Sequence, residues 1–310
     1  MNKILVFGSF VVDLMSRASH LPVPGETVKG SFFKMGPGGK GFNQGVASHK
    51  AGADVTMVTK IGHDTFGQIA LDTMKDLGMD TARILYSDIE STGTALILVD
   101  ENTSQNQIMV VPGACGTITN EEVNSLRDKV KESQFLLIQL ETNKDAIENV
   151  IDLAYQYGTK VILNPAPVQP ISDEVLRKID YITPNEVEAE ILTGIRIDTI
   201  ESANKAADWF FQKGVKNVVI TLGVRGVYVA TQQERKMIPA YTVKAVDSTG
   251  AGDAFNGGFV TALAEGKSIW DSCKFANALA ALSVMKLGTT PSMPYRKDID
   301  EFISSTKDEE

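Results

Sequence analysis

The stretch Val246-Asp247-Ser248-Thr249-Gly250-Ala251-Gly252-Asp253-Ala254-Phe255-Asn256-Gly257 decides the fold. It follows a strand-like segment, residues 241–246, and opens an apolar helical pattern. A strand that runs through a Gly-rich turn into a helix is a building unit of α/β sheets. Gly250 and Gly252 let backbone N–H groups converge on one point, and the positive end of the helix dipole lies there too. That is an anion site suited to a transferring phosphoryl group. Asp253 stands at the helix start, where a carboxylate accepts a proton from an attacking hydroxyl. The same residues also serve a plain helix cap after a Gly-rich turn, so the stretch alone leaves both uses open.

Working outward, strands and helices alternate. Residues 4–7, 55–61, 136–140, 161–163, 181–183 and 218–222 read as buried strands. Residues 43–51, 64–77, 145–157 and 203–213 read as helices, with Gly52, Gly78, Gly158 and Gly214 at or just past their ends. Continuous apolar strands between amphipathic helices imply an α/β fold, a mostly parallel sheet covered on both faces. Two regions break the rhythm. Residues 12–35 carry Pro22, Pro24, Gly25 and Gly30 among alternating residues, and 93–111 reads as strands 94–99 and 107–111 joined by the polar turn Asp100-Glu101-Asn102-Thr103-Ser104. They predict antiparallel strands forming a small β lid on a single domain spanning 1–310. A lid with an apolar face must bury it on substrate or on a second subunit. The polar tail, 304–310, is expected to fray.

Composition narrows the function. The 310 residues carry 30 Lys and Arg against 39 Asp and Glu, a net charge of −9, which disfavours wrapping a nucleic acid or an anionic membrane. Two cysteines, Cys115 and Cys273, make no disulfide framework or zinc pattern, and His20, His49 and His63 are too scattered for a metal cluster. The N-terminal run is interrupted by Gly8, Ser9 and Asp13 and lacks a small-residue cleavage site. No apolar run reaches the roughly 18 residues of a membrane span. A cytoplasmic protein is expected.

Four further features lie at strand ends. Gly36-Pro37-Gly38-Gly39-Lys40-Gly41-Phe42-Asn43-Gln44 fails the P-loop pattern, because Gly41 follows Lys40 where Ser or Thr is required, and it is no dinucleotide fingerprint. It remains a Gly-rich bend into a helix that lets a polyol approach, with Lys40 and Asn43 as donors. Asn164-Pro165-Ala166-Pro167 and Thr183-Pro184-Asn185-Glu186-Val187-Glu188 follow predicted strands, where α/β sheets bind ligands. Asn185 and Glu188 would share a helix face toward a metal hydration shell, or simply cap that helix. Thr221-Leu222-Gly223-Val224-Arg225-Gly226 suits backbone contact with a nucleotide and equally a hairpin turn. Asp13 and Glu141 are further strand-end carboxylates for sugar hydroxyls or solvent.

Together these residues resemble the ribokinase/pfkB family of carbohydrate kinases over almost the whole chain. The pair Gly38-Gly39-Lys40-Gly41-Phe42-Asn43-Gln44 and Asp247-Ser248-Thr249-Gly250-Ala251-Gly252-Asp253 is the specific part, supported by Pro24-Gly25-Glu26-Thr27 and the two proline motifs. The resemblance implies a three-layer fold with a β lid, and ATP-dependent phosphorylation of a pentose 5-hydroxyl. Asp253 matches the catalytic base, and the backbone of Gly250, Ala251 and Gly252 the anion hole. Asp13, Gly39, Lys40, Asn43 and Glu141 match sugar-binding positions. Asn185, Thr221, Gly223, Gly226 and Asn277 match ATP-binding positions, and Glu188 completes an element associated with Mg²⁺. Asp247, Thr249, Val284, Thr289 and Ser292 match a K⁺ site that shapes the anion-hole loop. A homodimer through the lid is also implied.

One position departs. In ribokinases the residue two before the strand-one Asp is an Asn that contacts the sugar; here it is Val11. Valine cannot donate, and a hydroxyl buried against it without a partner costs about 1–3 kcal/mol. Deoxyribokinases resemble this chain in having an apolar residue there. D-ribose and 2-deoxy-D-ribose therefore both stand as substrates, with another sugar, a nucleoside, or a silent sugar-binding protein as alternatives.

Overall fold

The computed structural model describes residues 3–103 and 105–307. Met1 and Asn2 of the N-terminal run, Ser104 of the predicted turn and residues 308–310 of the tail lie outside the described residues.

Fourteen strands are assigned among the described residues: β1 (Lys3–Phe7), β2 (Val11–Ala18), β3 (Phe32–Gly38), β4 (Asp54–Val58), β5 (Lys60–Gly62), β6 (Leu85–Ser87), β7 (Thr92–Asp100), β8 (Asn106–Gly113), β9 (Phe135–Gln139), β10 (Lys160–Asn164), β11 (Tyr181–Ile182), β12 (Asn217–Thr221), β13 (Val227–Ala230) and β14 (Arg235–Ile238). The helices are α1 (Lys40–Lys50), α2 (Thr65–Asp76), α3 (Asn120–Asn124), α4 (Arg127–Glu132), α5 (Lys144–Tyr157), α6 (Asp173–Leu176), α7 (Glu186–Thr193), α8 (Ile200–Gln212), α9 (Ala251–Ala264), α10 (Ile269–Val284) and α11 (Arg296–Lys307). Residues 304–307, expected to fray, are helical as the end of α11.

Eight strands form one sheet in the order β14-β13-β12-β11-β10-β9-β1-β4. From β4 to β12 every pairing is parallel, and only the β12–β13 and β13–β14 pairings are antiparallel, so β13 alone is reversed. The apolar runs have a simple cause. Successive side chains of a strand point to opposite faces, so a sheet covered on both sides needs apolar residues at every position. Along β1, Ile4 and Val6 enter a core with Phe42 of α1, Phe255 and Phe259 of α9 and Leu279 of α10. Leu5 and Phe7 enter the opposite core with Ile147 and Ile151 of α5 and Phe210 of α8. Each fully buried side chain of this kind contributes about 1.5–3 kcal/mol.

A separate four-stranded sheet has the order β3-β2-β7-β8. The two regions that broke the rhythm supply it. Each forms an antiparallel pair, β2–β3 and β7–β8, and the pairs join through a parallel β2–β7 seam, not the all-antiparallel arrangement expected. Two other expectations are corrected. Residues 55–61 are divided at Thr59, with β4 in the large sheet and β5 paired to β6. Residues 241–246 are not a strand. β14 is the last strand of its sheet, Pro239 after it has no N–H to extend the ladder, and the N–H groups of Val246 and Asp247 both go to the carbonyl of Val284.

Helices α1 and α9 lie unusually close. A Cβ on Gly257 would fall 2.5 Å from the Cβ of Ala47 and 2.8 Å from the carbonyl of Gln44. The Ser48 hydroxyl bonds the Gln44 carbonyl of its own helix (2.8 Å) and reaches across the contact to the Gly257 carbonyl (3.2 Å). Gly257→Ala is therefore expected to wedge the helices apart and destabilise the protein by about 1–3 kcal/mol, read as a lower Tm in thermal melting.

Candidate active site

The parallel strands end on one edge, and the polar residues gather there. Glu141 follows β9, Asn164 ends β10, Thr183 and Asn185 follow β11, and Thr221 ends β12. The first turns of α1 and α9 project over this edge. At the start of α9, Gly250 is the N-cap with φ 79°, a left-handed conformation that favours glycine. Its neighbours Ala251, Gly252 and Asp253 make the first turn, where three backbone N–H groups lack intrahelical partners.

The Asp253 carboxylate is 7% exposed and holds a ring of donors. Asn43 Nδ2 donates to Oδ2 at 3.1 Å, and Gln44 Nε2 donates to Oδ1 at 3.0 Å. Burial pushes its pKa above the usual carboxylate range, against the pull of Lys40 and the two amides. Lys40, the first residue of α1, donates its backbone N–H to Glu141 Oε2 at 2.8 Å, and the Ser9 hydroxyl donates to the same oxygen. Burial lowers the pKa of the Lys40 ammonium, but Asp253, Glu141 and Glu188 outweigh it and hold the value above the ordinary one. The ammonium therefore stays charged among three carboxylates.

Two cavities meet this cluster. The smaller, about 170 Å³, is lined by Lys40, Asn185, Glu188 and Thr221 and by the turn Gly250–Asp253. The larger, about 450 Å³, lies between the small sheet and the loops around Asp247 and Thr289; Asp13, Met15, Lys34 and Ile97 line its sheet side. Ser248 lines both. Asp13 is two residues from Val11 on the same face of β2, and Val11 is buried at 2% exposure. Burial raises the Asp13 pKa to about 6, with repulsion from Glu141 and Asp253 adding and a hydrogen bond from Thr289 opposing. Gly39 is the N-cap of α1, so its backbone adjoins Lys40 and Asn43.

The remaining expected residues divide. Asn185 and Glu188 form a reciprocal capping box: the Asn185 side chain accepts from the Glu188 N–H and the Glu188 carboxylate from the Asn185 N–H, both at 2.8 Å. They still line the smaller cavity, and burial raises the Glu188 pKa. Thr221 joins them there, while Gly223 stands at the start of the turn beyond it. Gly226 is fixed by packing, since a Cβ there would fall 2.1 Å from the Ile238 carbonyl. The Asn277 amide donates to the Pro239 carbonyl at 2.9 Å, tying α10 to the loop after β14.

Asp247 accepts from the N–H of Thr249 and of Gly288, both at 2.9 Å. Burial opposes ionisation, but the Thr249 hydroxyl together with these N–H bonds holds its pKa below the usual range. The Val284 carbonyl already accepts two N–H bonds, from Val246 at 2.7 Å and Asp247 at 3.1 Å. The Ser292 hydroxyl donates to the Thr289 carbonyl at 2.7 Å. Among the described residues no group of three or more His, Cys, Asp or Glu could hold a metal ion, and no helix is long and apolar enough to cross a membrane.

Sequence reasoning assigned no role to Ser9, Gln44 or Gln139. Gln139 carried a signal, because a glutamine inside the apolar strand 136–140 must find a partner when buried.

The comparisons with known proteins agree with this geometry. Residues 1–296 match the family model described as pfkB family carbohydrate kinase. A ribokinase of Haemophilus influenzae is 42% identical over 98% of this chain and 99% of its own. A deoxyribokinase of Salmonella typhi is 35% identical over 97% of this chain and 98% of its own. The structure of Arabidopsis thaliana ribokinase complexed with ribose and ATP superposes with a TM-score of 0.89 at 30% identity, covering 97% of this chain and 98% of that one. The chain belongs to the pfkB family of carbohydrate kinases.

The raised Asp13 pKa has a consequence for stability. Its folded value, about 6, exceeds the ordinary 3.8, so the folded protein binds this proton more tightly than the unfolded chain. That stabilisation is complete below about pH 4, is lost as pH rises to about 6, and is absent above. Asp13→Asn is therefore expected to raise the Tm of the ligand-free protein at pH 8, by up to about 3 kcal/mol of stability, with the gain vanishing near pH 4. Thermal melts across that range check it.

Proposed function

We propose that this pfkB-family kinase transfers the γ-phosphoryl group of ATP to the 5-hydroxyl of a pentose, D-ribose or 2-deoxy-D-ribose, in the cytoplasm. The observation that carries the reading is the buried Asp253 carboxylate in the first turn of α9, opening on a cavity lined by Lys40, Asn185, Glu188 and the Gly250–Gly252 turn. The sugar enters from the larger cavity, where Asp13 lines the wall, and reaches toward Lys40 in the smaller one, with Gly39, Asn43 and Glu141 as its further partners. The nucleotide reaches the smaller one past Asn185, Thr221 and Gly223, with Gly226 shaping that turn and Asn277 fixing the loop after β14. The sugar hydroxyl gives its proton to Asp253. Its oxygen forms the new bond to the γ-phosphorus as the bond to the ADP oxygen breaks. The N–H groups of Gly250 and Gly252 face the charge on the transferring phosphoryl group, and that of Ala251 joins them by exchanging the Ser248 carbonyl, 3.2 Å away, for a phosphoryl oxygen. Lys40 adds a positive charge beside it.

Glu188 suits Mg²⁺, which would neutralise phosphate charge when bound. One carboxylate is consistent with an ion that keeps its waters and is held mostly by phosphates. A K⁺ site fits Asp247, which stays ionised, with the carbonyl of Thr249 and the Ser292 hydroxyl oxygen. Val284 and Thr289 are left out of this set, because each carbonyl already accepts two hydrogen bonds, Val284 from two N–H groups and Thr289 from the Ser292 N–H and hydroxyl.

We further propose that the small sheet is a lid, that the whole chain works as one kinase unit, and that the lid's other face pairs two copies. Asp13, Met15, Lys34, Ile97 and Ile108 point to the larger cavity. The alternate residues Phe33, Met35, Leu96, Met109 and Val111 are 62, 46, 44, 64 and 49% exposed. By register they share the opposite face. An apolar patch of this kind is a protein-contact surface. A closed lid also excludes water, which would otherwise compete for the phosphoryl group.

Sugar-dependent ADP release tests the reaction. Asp253→Asn is expected to lose at least about a hundredfold in kcat while binding sugar normally by calorimetry. Surviving turnover would refute the base assignment, and no turnover of either pentose by the unmodified protein would refute the substrate class. In the same assay Val11→Asn is expected to shift kcat/KM from 2-deoxy-D-ribose toward D-ribose by about tenfold, the worth of one satisfied hydroxyl. For the pairing, sedimentation is expected to give a dimer that Leu96→Lys with Met109→Lys converts to a monomer.

A further inference from the structure

Behind Asp253 lies a chain of buried side-chain amides whose orientation is fixed from its far end. The Thr183 carbonyl can only accept, and Asn164 Nδ2 donates to it at 3.0 Å. Asn164 must then present its oxygen to Gln44, and Gln44 Nε2 donates to it at 3.1 Å. The other hydrogen of that nitrogen goes to Asp253 Oδ1 at 3.0 Å. Gln44 Oε1 is thereby turned away, and it accepts from Gln139 Nε2 at 2.6 Å. Both glutamines are fully buried, and Gln139 Oε1 has no hydrogen-bond partner. A buried oxygen left unpaired is tolerated only where the other end of the amide is strongly fixed. The second Asp253 oxygen is handled in the same way: the Thr290 hydroxyl donates to Asn43 Oδ1 at 2.7 Å, which aims Asn43 Nδ2 at Asp253.

We propose that Gln44 is a positioning residue for Asp253. Locked by Asn164 on one side and Gln139 on the other, its amide presents N–H and never oxygen to the carboxylate, holding it ionised and aimed at the acceptor hydroxyl. Gln44 lines neither cavity described above and is assigned no contact with the sugar or the nucleotide. The inference rests on the reading of Asp253 as the base. The charged groups around Asp253 are Lys40 on α1, Glu141 after β9, Glu188 on α7 and Asp13 on β2. None of these is altered by a change at Gln44.

The test is the pH dependence of kcat/KM for the pentose, with sugar affinity measured separately by calorimetry. Gln44→Leu removes one N–H from a charged acceptor. It is expected to move the acid limb of the profile up by about one pH unit and to lower kcat at neutral pH about tenfold or more, with sugar Kd within about threefold. A purely structural role would lower the Tm and leave the acid limb in place, and that result overturns the proposal. Gln139→Leu keeps the Gln44–Asp253 contact but frees the back of Gln44. It is expected to shift the limb in the same direction by a smaller amount, and if Gln44→Leu does not fold, an unmoved limb in Gln139→Leu overturns the proposal. Asp253→Asn separates the two readings. If that variant keeps its turnover, the base assignment fails; if it loses turnover while folded Gln44→Leu keeps the wild-type profile, only the positioning role fails.

Discussion

A carboxylate taken almost wholly out of water must be given donors where it lies. At Asp253 that requirement organises much of the molecule. The donors Asn43 and Gln44 come from α1, whereas the carboxylate comes from α9, 209 residues on from Gln44. The two helices must therefore run nearly in contact, and glycine at 257 is what permits it. Both helix starts must also stand over the carboxyl edge of the same parallel sheet. The turn at Gly250 follows from the same placement, because the first turn of α9 carries both this carboxylate and backbone N–H groups that lack intrahelical partners.

The sheet meets this demand through its topology. Parallel strands release their chain ends on one edge, so Glu141, Asn164, Thr183 and Thr221 arrive together from four different strands. Each is polar at the point where an apolar strand stops. Neighbouring strand ends are tied directly where Asn164 donates to the Thr183 carbonyl at 3.0 Å. The charged cluster of Asp13, Lys40, Glu141, Glu188 and Asp253 is thus assembled in advance, with its repulsion balanced by Lys40 and backbone N–H groups.

Much of this was legible in the amino-acid sequence, for physical reasons. Strands 136–140 and 161–163 were readable because burial on both faces leaves a continuous apolar run, and the helix over 145–157 because Gly158 takes the left-handed conformation that ends it. The motif 246–257 declared its helix and the Gly-rich turn that opens it, but not the loop before it: residues 241–246 are β-like in composition yet form no strand. The β2–β7 seam joins segments far apart in sequence, and no local pattern encodes whether such a pairing is parallel. Asn185 and Glu188 show the reverse case, in which one spacing serves both a helix cap and the rim of a cavity. The amide chain behind Asp253 was hidden for a third reason. The role of Gln139 depends on Gln44 and Asn164 beside it, and the isolated residue reveals only that it needs a partner.

The small sheet carries two messages on alternate residues of the same strands. Asp13, Met15 and Lys34 face the cavity, while Leu14, Phe33 and Met35 face away. Single substitutions can therefore retune one side without touching the other, so the cavity face and the outer face are free to drift independently. Deleting or inserting one residue within β3 has a different effect. It would exchange the two sets along that strand at once, turning Phe33 and Met35 inward and Lys34 outward. Length changes in this sheet should thus be far rarer among viable descendants than changes of residue, and confined to the connection between β2 and β3.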